Sequence, residues 1–335
     1  MTEPEAVSFG FVIPTYGEYA DPGRITALVQ LGEQLGYDAI WFADRAAVPS
    51  YALAFCDPNW YESLACAFTA LGSTSRLRVG TDVLVLPYRE PLLLARMTAT
   101  ADLLSHGRFI LGVGVGYLLG EFAALEVDPS RRGAITDEYL AILRQAWAAE
   151  NPISHTGGQR RYEDVNAGPR PRSGSVPLWV GGNHRAALRR AARFGDGWHP
   201  LFPTPEAYRH GRSAIEQARA ELGKDSDFTW SYSCPETKLL DESGAARVSY
   251  TYDAVGEIPP DFAYAPAVPT DENGRPRFIG STEEVTADIA QFVDAGVRHF
   301  ALRFWAGSPG FGVDDFAAQL ERFASEVTPS FANDS

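Results

Sequence analysis

The run Arg108-Phe109-Ile110-Leu111-Gly112-Val113-Gly114-Val115-Gly116-Tyr117 begins as a continuous apolar stretch and ends in glycines at alternate positions. Without a Cβ, backbone N–H groups can close around an oxyanion, and angles that other residues avoid become accessible. Phe109 to Leu111 reads as a buried strand, Leu118 to Leu125 as a helix, and the glycines fall between them. Strand, glycine turn and helix in that order make a phosphate cradle. A tight turn packed for its own sake would leave the same trace, because one glycine-rich turn is a weak signal.

Other chemistries find less support. Lysine occurs only at Lys224 and Lys238, both in polar surroundings, which weighs against a Schiff base on a buried lysine. The six histidines include no His-x-His or His-x-x-x-His pair, so no spacing points to a metal site. Cys56, Cys66 and Cys234 are isolated and odd in number, which argues against a disulfide framework and for a reducing cytoplasm. The net charge of -14 opposes nucleic-acid binding through a basic field. No apolar run reaches the ~18 residues of a membrane span, and Met1 to Ala6 lacks a signal-peptide pattern.

The elements that must position such chemistry repeat as helix, glycine, strand. Arg24 to Leu35 places Ile25, Leu28, Val29, Gly32 and Leu35 on one face, Gly36 stops it, and Asp38–Phe42 follows as a strand. Ser281 and Glu284 form a capping box ahead of Val285, Ile289, Phe292 and Val293; Gly296 then precedes the next strand. The expected strands are Ser8–Ile13, Asp38–Phe42, Arg78–Leu84, Arg108–Gly112, Val176–Val180, Asp196–His199, Phe228–Ser233 and Val297–Phe304. A helix over Val313–Val327 closes the chain. Eight βα units specify a (β/α)8 TIM barrel over residues 1–335, with strand C-termini meeting at one mouth. An open doubly wound sheet has a similar signature.

Two regions break the rhythm. Residues Asn151 to Ser175, rich in Gly, Arg and Pro, read as a surface excursion between the fourth and fifth strands. Residues 235–277 form a long insertion before the last βα unit, rich in Pro, Asp, Glu and Tyr. Tyr250, Tyr252, Phe262 and Tyr264 suit a lid over something apolar, and a plain surface insertion fits equally well.

With the strands placed, the sequence resembles the luciferase-like superfamily of flavin- and deazaflavin-dependent oxidoreductases, which are (β/α)8 barrels. The resemblance runs through Leu35–Asp44, Arg78–Pro87, Leu104–Arg108, the glycine strand, Glu121-Phe122, and Arg132-Gly133. Trp179–Asn183 and Ala191–Pro200 complete it, so most of residues 8–203 and 278–304 is covered. Val113 to Gly133 and the Gly-Gly-Asn-x-x-Ala-Ala-Leu-Arg-Arg stretch most resemble members that use the deazaflavin coenzyme F420; relatives that use FMN share the barrel.

The resemblance implies a site residue by residue. Asp82-Val83 falls where the family has a non-prolyl cis peptide in a third-strand bulge that backs the ring, with Gly80 just before it. Gly114, Val115 and Gly116 match a first backbone cradle; Gly181, Gly182 and Asn183, opening a helix over His184–Phe194, match a second. Trp198 would border the ring or serve as a core aromatic. Asp44-Arg45 stands where many relatives have Asp-His; an arginine cannot act as a base but can hold an anion or steady developing charge. Tyr16 and His199 are candidate proton donors by position, and Glu121 a further one or a structural carboxylate.

The implied activity is hydride transfer between an organic substrate and F420. Tyr16, Tyr51, Phe55, Trp60, Tyr61, Tyr117 and Phe202 offer an apolar or aromatic substrate wall. The alternatives are a reduced-FMN monooxygenase served by a separate flavin reductase, and a non-catalytic flavin-binding protein. The family also implies a homodimer.

Overall fold

The structure, a computed structural model, describes residues 6–53, 57–148, 152–224, 226–241, 269–304 and 315–332. The strands are β1 (Ser8–Ile13), β2 (Ala39–Phe42), β3 (Arg78–Thr81), β4 (Leu84–Val85), β5 (Phe109–Gly114), β6 (Ile153–Thr156), β7 (Arg161–Val165), β8 (Leu178–Gly181), β9 (Gly197–His199), β10 (Thr229–Glu236), β11 (Lys238–Leu239), β12 (Ile279–Gly280) and β13 (His299–Arg303). Parallel pairing runs β1-β2-β3-β5-β8-β9-β10-β13 and returns to β1, from Ser8↔His299 to Phe11↔Leu302. With β4 as the continuation of β3, this is a closed eight-stranded parallel barrel, and the open-sheet alternative is excluded.

The helices are α1 (Pro22–Gln34), α2 (Ser63–Gly72), α3 (Pro91–Leu104), α4 (Leu119–Ala124), α5 (Arg132–Trp147), α6 (Arg185–Phe194), α7 (Pro205–Glu221), α8 (Thr282–Asp294) and α9 (Asp315–Glu326). The capping box before α8 is present as expected: the Glu284 N–H donates to the Ser281 hydroxyl, and the Ser281 N–H donates to the Glu284 carboxylate. α1 starts before Arg24 because Pro22 suits its first turn and the Asp21 carboxylate accepts from the Arg24 N–H.

Alternation along the strands divides the core in two. Phe11, Ile13, Ile40, Phe42, Val79, Phe109 and Leu111 point outward into the layer shared with the helices. Each such side chain contributes about 1.5–3 kcal/mol on burial. Inward-facing Val12, Ala39, Trp41, Ile110, Trp179 and Ala301 fill the barrel. Two indoles fit only because their neighbours lack side chains: a Cβ on Gly80 would lie 2.3 Å from the Trp41 ring, and one on Gly197 2.7 Å from Trp179.

One departure from the sequence reading stands out. Residues within Asn151–Ser175 form the antiparallel β6–β7 hairpin, closed by Thr156↔Arg161. The lid aromatics Tyr250, Tyr252, Phe262 and Tyr264 lie outside the described residues, as does Phe55. The ends of the 235–277 insertion are pinned, with β11 pairing β12 and Arg275 and Arg277 both donating to the buried Asp288 carboxylate.

Candidate functional site

At the C-terminal end of the barrel the third strand breaks. Gly80 pairs with Ile110 and Leu84 with Val113, so one extra residue enters the third strand between these points. That is a β-bulge. The Asp82-Val83 peptide within it is cis, the geometry that the resemblance implied. The Asp82 N–H donates to Phe42 O at 2.9 Å, and Thr81 Oγ1 donates to Gly112 O at 2.7 Å.

Val83 faces β5 and β8. A Cβ on Gly114 would lie 2.7 Å from Val83 Cγ2, and one on Gly181 3.3 Å from either methyl. These two glycines therefore have a packing cause: they make room for the bulge. Gly116 and Gly182 differ, since both adopt left-handed φ values of 77° and 96°. Among the described residues, the N–H groups of Val115, Gly116, Gly182 and Asn183 donate to no protein acceptor. α6, which follows the second set, has no side-chain cap, as α4 and α5 have none, whereas Asp21, Glu62, Glu90, Thr204 and Ser281 cap α1, α2, α3, α7 and α8. Two groups of unspent amides thus flank Val83, one of them at a bare helix N-terminus, where an anion is stabilised.

The structure moves several expected residues away from the mouth. Gly80 is not a point of cofactor approach, because the Trp41 indole occupies the space its missing side chain leaves. Trp198 is buried in the outer layer against Tyr208, with ring centroids 4.8 Å apart. Its Nε1 donates to Gly182 O at 2.9 Å, so it braces the second set of amides from behind. His199 is no mouth proton donor: its side chain is fully buried, stacked on Trp41 at 4.7 Å, with both ring nitrogens engaged. Nδ1 is hydrogen-bonded to Ser231 Oγ at 2.7 Å, and Nε2 donates to Asp82 Oδ1 at 2.9 Å.

Asp82 points into the barrel and away from Val83. Burial alone would raise its carboxyl pKa, but Arg303, His199 and Ser233 outweigh that and hold it well below the usual carboxylate range. Asp44 is likewise spent. Its oxygens accept from both Arg89 guanidinium nitrogens, from Ser63 Oγ at 2.9 Å and from the Val85 N–H at 2.8 Å. It anchors the far side of the bulge and offers no free oxygen for proton transfer.

Arg45 does sit at the mouth. Nη1 donates to Glu121 Oε2 at 3.0 Å and Nη2 to Tyr117 Oη at 2.9 Å. The guanidinium lies over the Trp60 and Tyr117 rings at 5.5 and 5.4 Å. Tyr16 stacks on Trp60 at 4.2 Å, and the strand-one loop is held there by a Tyr16↔Trp60 bridge. Glu121, 1% exposed, also accepts from the Ala46 and Ala47 N–H groups and from Tyr88 Oη, so it is a structural carboxylate that orients Arg45.

Sequence reasoning placed Tyr117 only in an aromatic wall and missed Arg89, Ser233 and Arg303. Tyr117 directly follows the glycine run, and Arg303 ends the last strand; both positions face a barrel mouth. Among the described residues no cluster of metal-ligating side chains occurs, and no helix is long and apolar enough to cross a membrane.

A bulged third strand with amides exposed on either side is the arrangement that the resemblance required, and the family model for luciferase-like monooxygenases matches residues 7–322. The chain belongs to this family. Its relatives are enzymes. An F420-dependent glucose-6-phosphate dehydrogenase of Amycolatopsis mediterranei is 25% identical over 343 residues, covering 93% of this chain and 95% of the relative. Two solved structures share the fold. An F420-dependent secondary alcohol dehydrogenase in complex with an F420-acetone adduct superposes with a TM-score of 0.78 at 20% identity, over 98% of this chain and 100% of that one. Monooxygenase RslO1 from Streptomyces bottropensis gives 0.77 at 22% identity, over 97% and 100%.

Proposed function

We propose that this luciferase-like enzyme is an oxidoreductase that moves a hydride between an organic substrate and coenzyme F420 at the C-terminal mouth of the barrel. The observation that carries this reading is the pair of unspent amide sets, Val115/Gly116 and Gly182/Asn183, on either side of Val83. The amides would hold the cofactor's phosphate, and Val83 would back its ring. When bound, a deazaflavin supplies the carbon that gives or takes the hydride. The name of the Amycolatopsis relative supports F420 over FMN.

The protein's own part is to orient, exclude water and handle the proton. Arg45 Nη2 donates to Tyr117 Oη, so a proton passed from this phenol to a substrate oxygen would leave a phenolate that the guanidinium steadies. The stacked Tyr16–Trp60 pair and the Tyr117 ring form an apolar wall suited to an aromatic or apolar substrate. Titration with F420, followed by its fluorescence, tests the reading. A Kd below roughly 100 μM is expected, and absence of binding at that level refutes it. A reduced-FMN monooxygenase is the second reading, favoured by the likeness to RslO1. FMN displacing F420 at equal concentration would support it, with a flavin reductase then required.

A further inference from the structure

We propose that Asp82, Arg303, His199 and Ser233 form a charge-compensated positioning group that ties the third-strand bulge across the barrel and cancels the carboxylate's charge beneath the ring site. The part concerning the ring rests on the reading given above as the proposed function. Asp82 lies 151 residues from Ser233 and 221 from Arg303, on the opposite side of the closed sheet. Its carboxylate side chain is 3% exposed. Oδ1 accepts from His199 Nε2 and from Ser233 Oγ, each at 2.9 Å, and Oδ2 accepts from Arg303 Nη2. One side chain in the bulge is therefore tied to β9, β10 and β13.

Arg303 is itself fixed. Its Nη1 donates to Ser233 Oγ at 2.8 Å and to Cys234 O, and its guanidinium lies 5.4 Å from the Phe202 ring centroid. At 11% exposure it spans from the buried carboxylate towards the mouth. An uncompensated carboxylate next to Val83 would repel an anionic ring, and low-dielectric surroundings would magnify that repulsion. With the guanidinium attached, the pair is neutral and the bulge keeps its cross-barrel tie. An asparagine at position 82 could keep its oxygen on His199 and Ser233 but would turn its NH2 against the Arg303 guanidinium, so the test removes both charges together.

The test is a double-mutant cycle on the purified protein, reading the F420 Kd by fluorescence and the melting temperature without cofactor. R303M is expected to weaken F420 binding by at least roughly tenfold, because a buried charge has lost its partner. D82N/R303M is expected to recover to within threefold of the parent, since no charge is left to compensate. A double variant as weak as R303M, or an R303M that binds like the parent, overturns the proposal. If R303M does not fold, R303K and R303Q replace it: binding near the parent for lysine and at least tenfold weaker for glutamine is expected, and equal binding overturns it. If the parent itself does not bind F420, the proposed function fails. The melting temperatures then decide the compensation separately: R303M lowered and D82N/R303M restored supports it, and any other order overturns it.

Discussion

Replacing Glu121 by glutamine removes one charge and almost no volume, and the structure sets the size of the effect. The carboxylate is 1% exposed and accepts from Arg45 Nη1 at 3.0 Å, the Ala46 and Ala47 N–H groups at 2.9 and 3.2 Å, and Tyr88 Oη at 3.3 Å. All four partners are donors. Glutamine can keep its oxygen on the two amides only by turning its NH2 towards Arg45, donor against donor, while the Tyr88 hydroxyl can rotate to accept. A hydrogen bond to a charged group contributes about 1.5–3 kcal/mol, and breaking a fully buried ion pair costs about 3–5 kcal/mol. Arg45 is 12% exposed, so water recovers part of the loss. The expected destabilisation of E121Q is about 2–3 kcal/mol in equilibrium urea unfolding, with the slope unchanged. Turnover should fall with it, because Arg45, which steadies the Tyr117 phenolate, loses its anchor. A change below about 0.5 kcal/mol, the range of ordinary surface substitutions, would refute the assignment of Glu121 as the group that holds Arg45.

Three further outcomes follow from the same geometry. G80A places a methyl against the Trp41 ring and should lower stability by about 1–3 kcal/mol in the urea assay; an unchanged midpoint would mean that the indole does not fill that space. Y117F should lower kcat by about 100-fold with the F420 Kd nearly unchanged; a loss confined to binding would remove Tyr117 as the proton donor. Burial, with Arg78 and His199 nearby, holds His299 well below the usual imidazole range, and it stays neutral while accepting from Trp41 Nε1 at 3.2 Å. Below about pH 6.5 the unfolded chain therefore binds a proton that the folded chain refuses. This contribution to stability is present above that pH and declines as pH falls, by up to about 1.4 kcal/mol per unit, until the folded-state pKa is reached. H299Q should flatten the slope below pH 6, and an unchanged slope would contradict the assignment.

The barrel was legible because its strands are continuous apolar runs stopped by glycine or charge. Ser8–Ile13 agrees with β1 at both ends, and the other strands agree within a few residues. The β6–β7 hairpin was not, because Arg161–Val165 is largely exposed and carries no apolar period to read. The third strand shows where local patterning fails: Arg78 to Leu84 reads as one run, and only the resemblance marked the break at Asp82-Val83. The glycines were conspicuous for mixed reasons. Gly114 and Gly181 make room for Val83, whereas Gly116 and Gly182 turn the chain and leave amides unspent. The partners of Asp82 were invisible because they are brought together only when the sheet closes. His199 was noticed for its chemistry but is consumed by that same closure.

The most direct measurement is a crystal structure of the protein soaked with F420. The expected density puts the phosphate within hydrogen-bond distance of the Val115/Gly116 or Gly182/Asn183 N–H groups, the ring against Val83, and Tyr117 Oη facing the ring's reactive carbon. A cofactor held elsewhere, or a phosphate gripped by side chains with all four amides bonded within the protein, would contradict it.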